Sequence, residues 1–351
     1  MLALLTGLWA GLARLGWDVP LPRPGFSSLH GPLMVSGFLG TLISLERAVA
    51  LGRPWAYATP LLTGLGGVSL IVGAPLLAAQ WLMLAGSLGL VAIFAAIIRR
   101  HPALYTFTMG GGSLVWALGN LLWCLGWPVF LVVFWWAAFL VVTIAGERLE
   151  LARLQQVTGA AQATFLLLLG ILLTGLLLLG WSFDGGVRLF GLGLAGLALW
   201  LGRHDIARRT VKQAGLTRFI AICLLTGYVW LGISGLSAMW FGGVPVGPQY
   251  DATLHAFFLG FVFAMIFAHA PIIFPAVLGA RMAYRPLFYA HVVLLQVTLV
   301  VRFIGDAAGW SAGRQVGGLL NAVTLLLFLV NTVSALQSPP ERAGTAQGRG
   351  A

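Results

Sequence analysis

Apolar runs long enough to cross a bilayer follow one another from Leu2 to Ala335, and most charges sit in the short turns between them. A hydrocarbon core about 30 Å thick takes about 20 apolar residues in helical form. Lipid offers no partner to a bare backbone N–H or C=O, so only helices or closed barrels can cross it. Of 351 residues, 60% are hydrophobic and 8% charged, where a soluble domain carries about 25%. The sequence therefore predicts an all-α fold, a polytopic transmembrane helix bundle of about 12 helices with both termini cytoplasmic. The expected spans are 2–16, 29–51, 55–73, 76–98, 104–126, 128–145, 160–181, 186–202, 217–240, 251–274, 286–304 and 315–335. Residues 1–337 form one integral membrane domain, and 338–351 a disordered polar cytoplasmic tail. The first helix lacks a charged leader and a small-residue cleavage site, so it reads as retained.

The net charge of +11 raises the question of nucleic acid, which the distribution of the charge answers. Fifteen of the twenty Lys and Arg fall in alternate loops or ends: Arg47, Arg53, Arg99, Arg100, Arg148, Arg153, Arg203, Arg208, Arg209, Lys212, Arg218, Arg281, Arg285, Arg342 and Arg349. That is a positive-inside pattern, so the excess sets topology and no nucleic-acid partner is implied. The expected home is the bacterial inner membrane, with membrane lipid as the surrounding partner. Cys124 and Cys223 are expected near opposite faces, too far apart for a disulfide. The run GLGLAG at Gly191–Gly196 matches a dinucleotide fingerprint by letters alone, since no strand precedes it.

Ionisable side chains at membrane depth are expensive and usually have a task, which turns attention to the histidines. His101 and His204 lie in loops among arginines and read as solvated. The other four, His30, His255, His269 and His291, fall within expected helices. His255 and His269 share one long apolar stretch, roughly 40° apart around its axis and roughly 21 Å apart along it. His30 and His255 lie at matching depth near one surface, and His269 and His291 at matching depth near the other. Opposed neutral imidazoles commonly hold a low-spin b-type haem, so the first pair is a candidate cofactor and metal site. The second pair is a candidate for copper, a second haem or a shared proton. Pro271 and Pro275 are expected to break the helix just below His269. Arg302 falls within roughly 20° of the face of His291, near the outer end of its helix, where it can pair with a haem propionate or with Asp306. Met34 and Met265, one turn from His30 and His269, read as packing. Glu46 with Arg47, and Glu147 with Arg148, read as interface ion pairs.

The residues H-G-P-L-M-V from His30, at the head of the second helix, resemble the low-spin haem-ligand segment of haem-copper oxidase subunit I. That family takes the opposing ligand from helix ten, where His255 stands, and a propionate-binding arginine near helix eleven, where Arg302 stands. The chain also resembles the NnrS family, twelve-helix membrane proteins associated with haem, copper and the nitric-oxide response. The likeness covers about a quarter of the chain. It implies a b-type haem between His30 and His255, a redox partner or quinol, and, if the chain is an enzyme, an oxidoreductase. Two departures bear on activity. Between Thr106 and Gly202 there is no histidine, so the three-histidine copper site is missing. Phe257 stands where the second histidine of the family's helix-ten H-x-H would be. The oxygen-reducing centre is therefore absent. Electron transfer, nitric-oxide or metal response, and haem or copper handling stay open. So does a secondary transporter whose intramembrane His and Arg bind substrate or protons, and so does an assembly factor with structural histidines.

Overall fold

The structure is a computed structural model that describes residues 1–152 and 158–337. These residues form twelve long helices: α1 (Leu2–Arg14), α2 (Phe26–Leu51), α3 (Pro54–Val72), α4 (Leu76–Arg100), α5 (Leu104–Cys124), α6 (Val129–Ala152), α7 (Gly159–Leu178), α8 (Phe183–His204), α9 (Gly215–Phe241), α10 (Pro248–Leu278), α11 (Phe288–Ala307) and α12 (Ser311–Ser334). Ten of them are long and apolar enough to cross a membrane, which makes the chain a multi-pass membrane protein. The other two are α1 and α5. With 13 residues α1 rises only about 20 Å. The 21 residues of α5 carry Thr106, Thr108, Ser113 and Asn120 on its buried side, which lowers its apolarity. The only strands among the described residues are two-residue pieces, Arg281–Met282 paired antiparallel with Leu336–Gln337, which tie the α10–α11 turn to the end of α12. The tail at 338–351 lies outside the described residues, as does Arg153.

Burial ranks the helices. In α6, 83% of the spanning window is buried, against 33% in α7, so α6 lies at the centre and α7 faces lipid. An all-apolar helix with no polar stripe suits that position. Close approach elsewhere comes from glycine. Gly191 and Gly235 seat α8 on α9, where an added Cβ at either would press on the other's backbone. At mid-depth a buried polar cluster joins α2, α5 and α6: Trp116 Nε1 donates to Ser36 Oγ, and both Ser36 Oγ and Trp136 Nε1 donate to Asn120 Oδ1.

Two features depart from the sequence reading. The helix α10 runs through Pro271 and Pro275 to Leu278, four residues past its expected end. Its irregularity lies higher, at Ala256–Phe263, which is wound as a π-helix; α2 has a matching π-helical stretch at Leu33–Gly40. A π-turn holds more residues than an α-turn, so the α-helical angle between His255 and His269 does not carry across it. The second departure concerns the ion pairs. Glu147 and Arg148 do not pair, because each is taken by a partner on another element. Arg47 instead reaches across to Glu147 as well as to Glu46, and Arg148 turns inward to Asp205.

Candidate functional site

His30 enters α2 after a single 3₁₀ turn (Phe26–Leu29) and sits directly above the π-helical stretch. His255 closes the first eight residues of α10, which start at Gly247 (φ +107°) and Pro248, a glycine and proline that set the chain's entry into the helix. Its own π-helical stretch begins at the next residue. Below the two histidines the π-stretches meet through Phe38 and Phe263, whose rings are 6.3 Å apart. Two helices thus carry the same arrangement, a histidine followed by a wide turn. Wide turns of this kind recur at functional sites.

The two imidazoles face one another with ring centroids 6.1 Å apart and planes 25° apart. In His30, Nδ1 lies 2.7 Å from the Gly7 carbonyl of α1; in His255, Nδ1 lies 2.8 Å from the Asp251 carbonyl one turn back. A carbonyl only accepts, so each Nδ1 carries the hydrogen and each Nε2 keeps its lone pair. A metal-ligating histidine is held in this way, with one nitrogen tied to a backbone acceptor and the other presented. Both rings line a cavity of about 340 Å³ enclosed by α1, α2, α6, α10, α11 and α12. That volume falls within the range of cofactor sites, as does the mostly apolar lining.

A buried ion network closes one side of the cavity. Arg302 Nη2 lies 3.2 Å from His255 Nδ1 and 3.1 Å from its Nε2, so the guanidinium stands over the imidazole, and Arg302 Nε is 3.7 Å from Asp306. Asp306 is also met by Arg314 at 2.9 Å, and Arg314 pairs with Asp251 at 2.6 Å. Two arginines thus balance two aspartates next to a neutral imidazole. Arg14, at the exposed end of α1, is a second cation lining the cavity.

The other candidate pair is kept apart. Phe267 packs on His291 with centroids 4.7 Å apart, so that side of α10 faces α11. His269 is two residues further on, about 200° around the helix, and so faces the opposite way. It lines a small cavity of about 70 Å³ with Glu46 and Glu147, its Nδ1 bonded to the Met265 carbonyl at 2.7 Å. His291 sits among Phe219, Phe267, Phe288 and Phe328, with Asn331 Nδ2 3.3 Å from its Nδ1 and no partner for its Nε2 among the described residues. Equal depth did not mean a common face. Among the described residues no group of three or more His, Cys, Asp or Glu is gathered as for a metal ion. Both cysteines are free thiols.

A family model described as a domain of unknown function (DUF8744) matches residues 1–337. The chain belongs to that family. No curated protein and no solved structure matches it.

The sequence reading did not include α1 in the site. An added Cβ at Gly11 would stand 2.8 Å from His30 Nδ1, and one at Gly7 would stand 2.6 Å from Met34 Sδ. These glycines let α1 lie close enough for Gly7 to accept from His30. Their spacing of four residues, the usual pattern of close helix approach in lipid, is the signal that pointed there. Gly11→Ala is expected to push the His30 ring off the Gly7 carbonyl and to lower occupancy of the site by roughly 10-fold, the lower end for loss of a ligand's orienting bond. Binding of added haem, the group the sequence leads one to expect at this pair, by the purified variant measures this.

Proposed function

We propose that this chain is a haem-binding electron-transfer protein of the bacterial inner membrane, related to the haem-copper oxidase subunit I and NnrS proteins that its His30 and His255 segments resemble. The observation that carries the reading is the pair of opposed imidazoles, each with Nδ1 committed to a backbone carbonyl. The residues suit the group: two imidazoles, each with Nδ1 tied to a carbonyl and Nε2 left to bind, stand side by side with centroids 6.1 Å apart on a mostly apolar cavity of about 340 Å³. His30 and His255 would hold the haem from its two sides. Arg302 and Arg14, the two cations that line the cavity, would be available to the haem's propionates. Asp306 keeps Arg314 as a partner in addition to Arg302.

With protein ligands on both sides, the group supplies one-electron transfer and offers no open position to a gas. That favours electron transfer over oxygen or nitric-oxide chemistry, in keeping with the missing three-histidine site. In this reading α1 and α5 complete twelve crossings with both ends in the cytoplasm, and a quinol or a redox protein is the partner. His269, which faces a separate cavity with two glutamates nearby, is assigned no haem.

A secondary transporter is the second reading. The observations favouring it are the irregular windings within α2 and α10 and the buried Asp–Arg network beside them, since transporters bind at such interruptions. Haem content decides between the two. Protein purified in mild detergent from haem-replete cells is expected to carry about one haem per chain. A haem-free preparation would exclude the first reading and leave the second.

A further inference from the structure

The α8–α9 turn, residues 203–218, carries Arg203, Arg208, Arg209, Lys212 and Arg218, all exposed. Its one acidic residue, Asp205, is used elsewhere. The Asp205 side chain is 1% exposed and accepts two bonds from Arg148 (2.6 and 3.0 Å), one from Tyr228 Oη (2.7 Å) and one from the Ala207 amide (2.7 Å). This clamp ties the turn to α6 and α9 and removes its only counter-charge from the surface. Of the five cations, none has an ion-pair partner among the described residues. The Arg208 guanidinium donates to the Arg203 carbonyl at 3.1 Å, which holds it against the end of α8.

Positive charge at a helix end sets topology, and that alone asks for no ligand. Two further observations point to one. The patch is fixed by a buried clamp, and it stands at the head of apolar, outward-facing stripes. On α8, Leu192 and Leu199 are 42% and 77% exposed and lead to Arg203 at helical spacing. On α9, Arg218 leads through Ile222 and Leu225 to Val229, which is 63% exposed. Acyl chains lying along these stripes bring a headgroup to the arginines.

We propose that the α8–α9 turn binds the headgroup of an anionic phospholipid, its phosphate held by Arg203, Arg208, Arg209 and Lys212. Each basic residue near a membrane surface contributes enough for about a fivefold change in lipid affinity, so three together give on the order of 100-fold.

Native mass spectrometry of the purified full chain, titrated with phosphatidylglycerol or phosphatidylcholine of the same acyl chains, tests this. The wild-type chain is expected to hold phosphatidylglycerol at least about 10-fold more tightly, and the combined Arg208→Gln, Arg209→Gln, Lys212→Gln variant about 100-fold less tightly than wild type. Arg208→Lys with Arg209→Lys is expected to keep the preference, and Arg99→Gln with Arg100→Gln, at the end of α4, to leave it unchanged. Equal binding of the two lipids by the wild type would overturn the proposal without recourse to any variant. So would equal loss in the α4 control, or displacement of the lipid by millimolar inorganic phosphate, which would show a site for free anions.

Discussion

His255→Ala and His30→Ala are each expected to lower haem retention by at least about 100-fold, more than the 10–100-fold that follows loss of a ligand's supporting bond. Both side chains line the cavity, and neither is packed as a core residue, so removing either ring leaves most of the surrounding helix contacts in place. In His255→Ala the effect has a second part. Arg302 loses the imidazole that it stands over and is left with Asp306 at 3.7 Å. Exogenous imidazole is expected to restore binding in either variant, because the missing ring leaves a space of its own size; a misfolded protein would not respond. A methionine in place of His255 is expected to keep the haem and raise its potential, as a thioether ligand does relative to an imidazole. Haem content, imidazole rescue and redox titration separate these outcomes.

Arg148→Ala is expected to cost about 3–5 kcal/mol of stability, the usual result of removing one partner from a buried ion pair. The guanidinium is 4% exposed and supplies two of the four hydrogen bonds that Asp205 accepts. Without it the carboxylate keeps only Tyr228 and the Ala207 amide while remaining buried. Replacing both charges by apolar residues of similar size, Arg148→Met with Asp205→Leu, is expected to recover most of the loss, since it removes the desolvation penalty together with the attraction. Thermal unfolding in detergent measures both. The double variant also probes the lipid site, which depends on the turn being fixed where Asp205 holds it.

The sequence made some of this legible and hid the rest for physical reasons. Where helices lie follows from the length of apolar runs, and each expected span overlaps an observed helix. Depth is also readable, because rise per residue is nearly constant; His30 and His255 could be placed at one level by counting, and the structure sets their rings face to face. Azimuth is not readable in the same way. Counting around α10 assumes 100° per residue, and the π-helical stretch at Ala256–Phe263 breaks that count just below His255. Nothing in AFFLGFVF marks such a stretch. The same limit misplaced His269, whose depth matches His291 while Phe267 takes the face between them. Partners distant in sequence were hidden too. Arg148 finds Asp205 because the α8–α9 turn folds back under α6, a contact that no local pattern announces. The role of α1 rests on Gly7 and Gly11, whose spacing was visible but whose neighbour was not.

Carbon monoxide addition tests the central claim most directly, because it reports both that haem is present and that both of its axial positions are taken. The absorption spectrum of the reduced wild-type protein is expected to show b-type bands that do not change when carbon monoxide is added, while any haem kept by His30→Ala or His255→Ala shifts. A colourless wild-type protein, or wild-type bands that shift with carbon monoxide as those of the variants do, would contradict the account.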